Sequence, residues 1–282
     1  MVVHPLLLTE AVAFGESPRW HGDRLWFSDA HDYALKTVEL DGTVTRVAEL
    51  AGRPAGMGFM PDGRLLIATA LDRKLNWVSP AGEVTPACDL GGIATGILND
   101  MVVDGQGRAY VGDVGYDPAG DGAPQPGRVI LFTEAAGAEV AASDVTFPNG
   151  CAVTPDGAHF YISETLAGRV TRFTIAADGR LGGREVFAAL DSPPDGLCLD
   201  GDDGVWIGQP LAGRFVRLAA DGTVDQEIAS PAPFAVACVF GGEDRSTLFL
   251  CSADTDLDRL RHGDSQGRID MLTANHRGVG WP

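Results

Sequence analysis

The stretch Phe147-Pro-Asn-Gly-Cys-Ala-Val-Thr-Pro-Asp-Gly-Ala-His-Phe-Tyr-Ile-Ser-Glu164 contains two short apolar segments on either side of a Pro-Asp-Gly tripeptide. Short apolar runs bounded by turn-forming residues are typical of β-strands. The Pro-Asp-Gly tripeptide favours a tight turn between them. This stretch therefore predicts a hairpin whose first strand begins next to a polar residue, Asn149.

The same hairpin recurs along the whole chain. The central bulky residue of its second strand occurs six times, at intervals of 40, 44, 51, 45 and 43 residues: Trp26, Leu66, Tyr110, Tyr161, Trp206 and Phe249. A second hairpin follows in most copies, for example around Asp41-Gly42, a dipeptide typical of hairpin turns. A period of this length with four short strands per unit is typical of β-propellers.

We therefore predict an all-β fold, a six-bladed β-propeller with four antiparallel strands per blade, as a single domain over residues 1–282. An open sandwich array and a parallel β-helix are the alternatives, and the period is too long for one rung of a β-helix. Residues 3–12 are strand-like and have no evident partner in the first blade. We expect them to complete the last blade beside residues 267–273 and so to close the ring.

The charge, the hydropathy and the cysteine content of the chain exclude several classes of partner and location. The net charge of −18 argues against a nucleic-acid partner. No apolar run approaches 18 residues, and the amino terminus has neither a basic region nor a cleavage site, so we expect no membrane association and no signal peptide. Five cysteines without a CxxC pair, three of them within strand patterns (Cys151, Cys198 and Cys238), predict buried thiols and a cytoplasmic protein. The oligomeric state stays open.

Four of the six predicted inner strands carry a side-chain oxygen at one equivalent position near their start, here called the axial position. The six axial residues are Glu16, Ala55, Asn99, Asn149, Asp195 and Ala235. Asn-Gly and Asp-Gly pairs are also common in turns. However, Glu16 is no turn former, and two carboxylates that converge on one channel repel each other without a cation. Oxygen ligands without histidine or cysteine favour Ca²⁺, or Mg²⁺ and Mn²⁺, over Zn²⁺.

The ends of the second strands should lie at the same edge of the ring. These residues are Asp29, Thr69, Asp113, Glu164, Gln209 and Ser252. They are either site residues or strand-end hydrogen-bonding residues, and of these we take Asp113 as a candidate substrate contact. His31 is a further candidate. Two insertions leave from this edge, residues 114–125 with the candidate Tyr116, and residues 254–266; both could act as lids. The second resembles a calcium-binding EF-hand loop but lacks its glycine and glutamate, so we reject that motif.

Several motifs together resemble the SMP-30/gluconolactonase/LRE-like family, also called the regucalcin type. They are Gly15-Glu-Ser-Pro-Arg-Trp20, Asn99-Asp100, Pro148-Asn-Gly150, Pro194-Asp-Gly196 and Gly278-Val-Gly-Trp-Pro282. The resemblance covers nearly the whole chain and implies a six-bladed propeller with one divalent cation held by Glu16, Asn149 and Asp195. It also implies hydrolysis of a lactone, commonly a sugar lactone. Asp195 would then be the acid/base residue, and Asn99 would hold substrate or water beside a metal that polarises the carbonyl.

One position departs from the family pattern. Sugar-lactonase relatives carry an arginine two residues before the asparagine, and here that residue is Ile97. Isoleucine offers only apolar contact, which makes a less polar lactone or ester an alternative substrate unless Arg261 compensates. Two further alternatives are a calcium- or ligand-binding propeller without turnover and a metal-dependent phosphotriester hydrolase. The metal is Ca²⁺ by preference, with Mn²⁺, Mg²⁺ and Zn²⁺ as alternatives.

Overall fold

The computed structural model describes residues 4–281. Its first twelve strands are β1 (Leu6–Val12), β2 (Gly15–His21), β3 (Arg24–Asp29), β4 (Ala34–Val38), β5 (Val44–Glu49), β6 (Pro54–Phe59), β7 (Leu65–Thr69), β8 (Lys74–Val78), β9 (Val84–Asp89), β10 (Leu98–Val103), β11 (Ala109–Asp113) and β12 (Gly127–Thr133). The remaining strands are β13 (Gly137–Val145), β14 (Pro148–Val153), β15 (His159–Glu164), β16 (Arg169–Ile175), β17 (Leu181–Ala189), β18 (Leu197–Leu199), β19 (Val205–Gln209), β20 (Arg214–Leu218), β21 (Val224–Ala229), β22 (Phe234–Gly241), β23 (Thr247–Asp254) and β24 (Gln266–Thr273). Single helical turns span Thr165–Ala167 and Pro210–Ala212, and a short helix α1 spans Leu257–Arg261.

These strands form six antiparallel sheets of four strands each. The first strand of every sheet lies innermost: β2, β6, β10, β14, β18 and β22. Each inner strand contacts the inner strands on both sides, and β22 returns to contact β2. This closed cycle confirms the predicted six-bladed β-propeller.

The ring closes through a blade that contains both ends of the chain. Strand β1 pairs with β24, which continues to β23 and β22. In this pairing Leu6 faces Met271 and Val12 faces Gly267. The closure predicted from the sequence is thus confirmed for residues 6–12, whereas residue 3 lies outside the described residues.

The apolar core lies between the faces of neighbouring blades. In one cluster Leu66 and Leu75 of the second blade pack with Val111 and Ile130 of the third. Between the first and last blades, the rings of Trp20 and Phe249 stack with centroids 5.4 Å apart. The three cysteines predicted to be buried are buried. Among the described residues, no helix is long and apolar enough to cross a membrane.

The far end of the channel is covered by the carboxy-terminal segment. The Trp281 indole donates a hydrogen bond to the Phe59 carbonyl oxygen (2.6 Å). Trp281 also borders a cavity of about 340 Å³ between the turns that follow β10 and β14. The axial residues lie at the opposite ends of these strands.

We predict that ring closure depends on the buried face of β1. Val12 is 6% exposed and packs among Phe14 and Ile269, whereas Leu7 on the same strand is 49% exposed. Val12→Asp should lower the free energy of unfolding by about 3 kcal/mol or more, because a carboxylate is forced into an apolar contact. Leu7→Asp, the matched control, should change it by less than about 1 kcal/mol. Urea unfolding measures both, and equal effects would show that β1 does not fasten the ring.

Candidate functional site

The axial residues lie at a break in strand pairing that is repeated in most of the inner strands. In five of the six blades the pairing with the second strand shifts around the axial residue, for instance between Pro148 and Cys151. Such bulges redirect side chains relative to a regular strand. Asn149 and Asp195 are each 6% exposed, and Glu16 and Asn99 keep partial access to the channel.

Glycines follow three of the axial residues, Ala55, Asn149 and Asp195, for a steric reason. A Cβ on Gly150 would lie 2.4 Å from the Leu197 nitrogen, and one on Gly196 would lie 2.3 Å from the Ala237 Cβ. Neither glycine has a positive φ. The Asn-Gly and Asp-Gly pairs therefore do not form turns here; their glycines let neighbouring inner strands approach closely around the channel.

The carboxylates of Glu16 and Asp195 interact within this channel. Burial, and next the negative charge of Asp100, raise the pKa of Asp195 to about 8, against the lowering effect of the Asn149 amide. Burial also raises the pKa of Glu16 well above its ordinary value, and the charges of Asp195 and Asp100 add to this. The structure thus brings together Glu16, Asn149 and Asp195, three residues far apart in the chain, as a site that favours positive charge.

Two buried oxygens of this site have no hydrogen-bond partner within residues 4–281. They are Oδ1 of Asn149 and Oδ1 of Asp195. The Asn149 amide donates its Nδ2–H to Thr165 Oγ1 (3.1 Å), which itself donates to the Pro194 carbonyl oxygen (2.9 Å). This chain fixes the orientation of Asn149 and leaves its oxygen available. Buried oxygens without donors are expensive unless a cation or water binds them, so the residues present fit a divalent cation.

Asn99 adjoins this group. Its Nδ2 donates to the Pro148 carbonyl oxygen (3.1 Å), the residue immediately before Asn149. The same contact connects the third blade with the fourth. Asn99 therefore stands beside the predicted ligands with its side-chain oxygen free to bind water or substrate.

Sequence reasoning missed the network around Asp100. Ser17 Oγ donates to Asp100 Oδ1 (2.6 Å), and Arg19 donates to the same oxygen (3.3 Å) and to the Met101 carbonyl oxygen (2.6 Å). The Met57 N–H donates to Ser17 Oγ (3.0 Å). Three blades are joined by these contacts directly beneath the axial residues. A signal was available, because the position after the axial residue is glycine in three of the other blades, which makes Ser17 and Asp100 conspicuous.

The carboxylates at the ends of the second strands serve the backbone. Asp113, predicted as a substrate contact, is fully buried and accepts hydrogen bonds from the Thr95, Gly96 and Gly115 N–H groups (2.8–3.0 Å). The Arg128 guanidinium lies 3.5 Å away. Asp29 accepts from the Phe14 N–H and Glu164 accepts from the Thr146 N–H in the same manner. These side chains hold the segment that leads into each inner strand, and their oxygens are already occupied.

Tyr116 and His31 border the mouth of the channel. The Tyr116 ring contacts Phe147, two residues before Asn149, edge to face at 6.1 Å. Burial raises the pKa of Tyr116, and the positive charge of Arg261 on the second insertion opposes this shift. His31 stacks on Phe14 (4.9 Å), and burial lowers its pKa. Burial therefore favours the neutral form of its ring.

The tautomer of His31 follows from its neighbour. Ser265 Oγ donates its hydrogen to the Ala13 carbonyl oxygen (2.8 Å) and lies 2.6 Å from His31 Nδ1. Because a hydroxyl has one hydrogen, it accepts from Nδ1–H. His31 thus connects the first blade to the second insertion, with Nε2 left as an acceptor. That insertion forms α1 and, with Leu211 and Phe234, borders a groove of about 460 Å³ at the same end of the ring.

Another group of ligand atoms lies at the far end of the ring. Atoms of Asp200, Asp202 and His276 lie within 4.8 Å of one another. The Asp200 carboxylate already accepts from the Arg217 guanidinium (2.6 Å) and the Trp206 indole (2.9 Å). A cation there would displace an arginine, so this group is a hydrogen-bonded turn anchor and the axial residues remain the candidate metal centre.

Comparison with known proteins agrees with this architecture. The model of the SMP-30/gluconolactonase/LRE-like region matches residues 14–254. The chain belongs to this family. It is 28% identical to the pentonolactonase of Haloferax volcanii, over 94% of this chain and 88% of that protein. It is 33% identical to the 6-deoxy-6-sulfogluconolactonase of Pseudomonas putida over about half of each chain, 55% and 54%.

A solved structure supports the fold. The calcium-binding protein regucalcin of Agrobacterium tumefaciens superposes with a TM-score of 0.84, covering 99% of this chain and 97% of that one at 23% identity. At this identity the likeness concerns the arrangement of the blades. The family's propeller is therefore present in this chain over essentially its full length.

The axial carboxylates predict an unusual pH dependence of stability. Folding raises the pKa of Asp195 to about 8, so between about pH 4 and pH 8 the folded, chelator-treated protein holds a proton at Asp195 that the unfolded chain has released. Its free energy of unfolding should therefore decrease as the pH rises through this range. The slope from this group is at most about 1.4 kcal/mol per pH unit. Asp195→Asn should flatten the profile, and saturating Ca²⁺ should flatten that of the unmodified protein. Urea unfolding from pH 5 to 8.5, with Asp221→Asn as an exposed control, measures this; parallel profiles for all the proteins would contradict it.

Proposed function

We propose that this protein is a lactonase that requires one divalent cation, bound by Glu16, Asn149 and Asp195. The observation that carries the proposal is the pair of buried oxygens on Asn149 and Asp195, without partners among residues 4–281, next to the carboxylate of Glu16. The names of the family and of two relatives support a lactone as the substrate. A sugar lactone is the first choice, with a less polar lactone as the alternative because of Ile97.

The roles of the residues follow from their positions. When bound, the cation supplies Lewis acidity that polarises the lactone carbonyl and stabilises the developing oxyanion. Positive charge beside Asp195 lowers its pKa and keeps it a carboxylate at neutral pH. Asp195 then accepts a proton from the attacking water and returns it to the ring oxygen. Asn99 holds the water or the substrate, and Tyr116 and His31 contact the substrate at the mouth.

Ca²⁺ is the ion that this donor set favours. All three proposed ligands offer oxygen, and calcium accepts six to eight oxygens in flexible geometry. Three protein ligands leave positions for water and substrate. Mn²⁺, Mg²⁺ and Zn²⁺ are the alternative ions. The cysteine content supports the cytoplasm as the proposed location.

Removal of the cation should abolish the activity. On a panel of γ- and δ-lactones, chelation should lower kcat/KM by at least about 100-fold, because metal polarisation of the carbonyl contributes several kcal/mol. Addition of Ca²⁺, Mn²⁺, Mg²⁺ or Zn²⁺ should restore it and rank the metals. Tight Ca²⁺ binding without hydrolysis of any lactone would instead indicate a binding protein, and chelator-sensitive hydrolysis of a phosphotriester alone would indicate that chemistry.

Substitution of Asp195 should separate catalysis from folding. Asp195→Ala should lower kcat by at least about 1000-fold, since it removes both the proton acceptor and a metal ligand. Asp202→Ala, on the same blade at the far end of the ring, is the matched control and should retain activity. Circular dichroism and metal calorimetry accompany the assay. Near-normal lactone hydrolysis by a folded Asp195→Ala protein would rule out the assignment.

A further inference from the structure

The propeller repeat defines a second set of equivalent positions at the mouth, two residues before each axial residue. Backbone hydrogen bonds establish the equivalence in four blades. In each of these blades the carbonyl oxygen at this position accepts a hydrogen bond from the N–H of the residue that follows the second strand. The pairs, with the acceptor first, are Phe14 and Ala30, Arg53 and Ala70, Ile97 and Val114, and Phe147 and Thr165. We call this the mouth position. Arg53 is the only charged residue at any of the six mouth positions, the other two being Pro193 and Pro233.

Arg53 therefore stands one blade away from the place where sugar-lactonase relatives carry an arginine. That place is Ile97, the mouth position of the third blade. The inner strands of the second and third blades, β6 and β10, lie side by side. A guanidinium is consequently present at the same level of the mouth, displaced around the ring to the neighbouring blade.

The Arg53 guanidinium has no partner within residues 4–281. None of its nitrogens takes part in a hydrogen bond or an ion pair with a described residue, although the side chain is only partly exposed. Four other arginines around the channel are engaged: Arg19 with Asp100, Arg128 with Asp113, and Arg169 and Arg184 with Glu164. Arg73 and the exposed Arg261, at the same end of the ring, likewise have no side-chain partner among the described residues. A guanidinium provides five donors suited to planar anions, so an unpaired one at a channel mouth is available to a ligand.

The charges of the site leave Arg53 in excess. A bound dication balances Glu16 and Asp195, and Arg19 balances Asp100. The positive charge of Arg53 reaches His31 at the mouth, whose pKa is lowered first by burial and then by Arg53. With the cation in place, Glu16, Asp195 and Asp100 are therefore balanced without Arg53.

We propose that Arg53 binds an anionic substituent of the substrate, a carboxylate or a sulfonate attached to the lactone ring. This proposal rests on the proposed lactonase function and specifies its substrate class. The guanidinium pairs with two oxygens of the anion and directs the lactone carbonyl toward the axial residues. Ile97 and Phe147, at the next two mouth positions, offer apolar surface to the carbon skeleton. Arg53 is thus a specificity-determining residue that takes no part in proton transfer.

Two substrates that differ by one charge test the proposal. They are 5-oxotetrahydrofuran-2-carboxylate and 5-oxotetrahydrofuran-2-carboxamide, which share the lactone ring. The unmodified enzyme with its cation should prefer the carboxylate. Arg53→Met should raise KM for the carboxylate by about 10- to 100-fold, the value of a charge-assisted hydrogen-bonded pair, and leave kcat and the kinetics of the amide within about twofold. Arg53→Lys should retain part of the preference.

Two matched variants locate the effect. Arg73→Met removes an arginine from the same edge of the same blade, and Arg261→Met removes the exposed arginine of the second insertion; neither should alter the preference. Hydrolysis of the 2-sulfomethyl analogue of the lactone, which carries a sulfonate in place of the carboxylate, is measured in the same way. Preference for either anion over the amide supports the proposal, and their order identifies the anion. An equal loss on anion and amide in Arg53→Met, or a selective loss in Arg261→Met, would overturn it.

A binding measurement keeps this proposal distinct from the proposed function. Tetrahydrofuran-2-carboxylate lacks the lactone carbonyl and cannot be hydrolysed. Calorimetry should show that it binds the Ca²⁺-loaded protein and that Arg53→Met weakens binding by about 10-fold or more. If the unmodified protein hydrolyses neither lactone, the proposed function fails while this measurement still decides Arg53. Absence of binding, or equal binding to both proteins, would refute the anion site.

Discussion

Two carboxylates buried at one end of a narrow channel are the constraint on which the rest of this structure depends. Glu16 and Asp195 come from the first and fifth blades, and each raises the free energy of ionising the other. A protein that only had to fold would place apolar residues there, as Ala55 and Ala235 do at two of the axial positions. Under the proposed function a divalent cation compensates both acids, which would couple occupation of the site to the stability of the ring.

Three further carboxylates at this end of the ring, each at the end of a second strand, are neutralised locally. Asp29 pairs with Lys36, Asp113 with Arg128, and Glu164 with Arg169 and Arg184, while each also accepts backbone N–H groups. These contacts hold the segments leading into the inner strands. The axial side chains are thus positioned by strands whose starts are fixed, and their own oxygens stay uncommitted.

Equivalent backbone positions allow a function to move between blades. The mouth positions of the second and third blades hold their side chains at the same level of neighbouring strands, so an arginine at one can serve the space near the other. Under the proposed anion site, Arg53 would supply in the second blade the guanidinium that Ile97 does not supply in the third. Loss of a residue at one aligned position of a propeller is therefore weak evidence for loss of its role until the adjacent blades have been compared.

The sequence by itself determined the number of blades, the closing strand and the axial positions, because each depends on local patterns that repeat: alternating strands, Asp-Gly turns and a constant period. The sequence could not show that the oxygens of Asp113 bind the backbone rather than a substrate. The buried hydrogen bonds that Asp113 accepts from the Thr95 and Gly96 N–H groups form only when the chain folds back on itself. It also missed Ser17, Arg19 and Asp100, whose contacts join three blades. Charge balance at the mouth is a property of the assembled ring, so only the tertiary structure showed that Arg53 is left without a partner among the described residues.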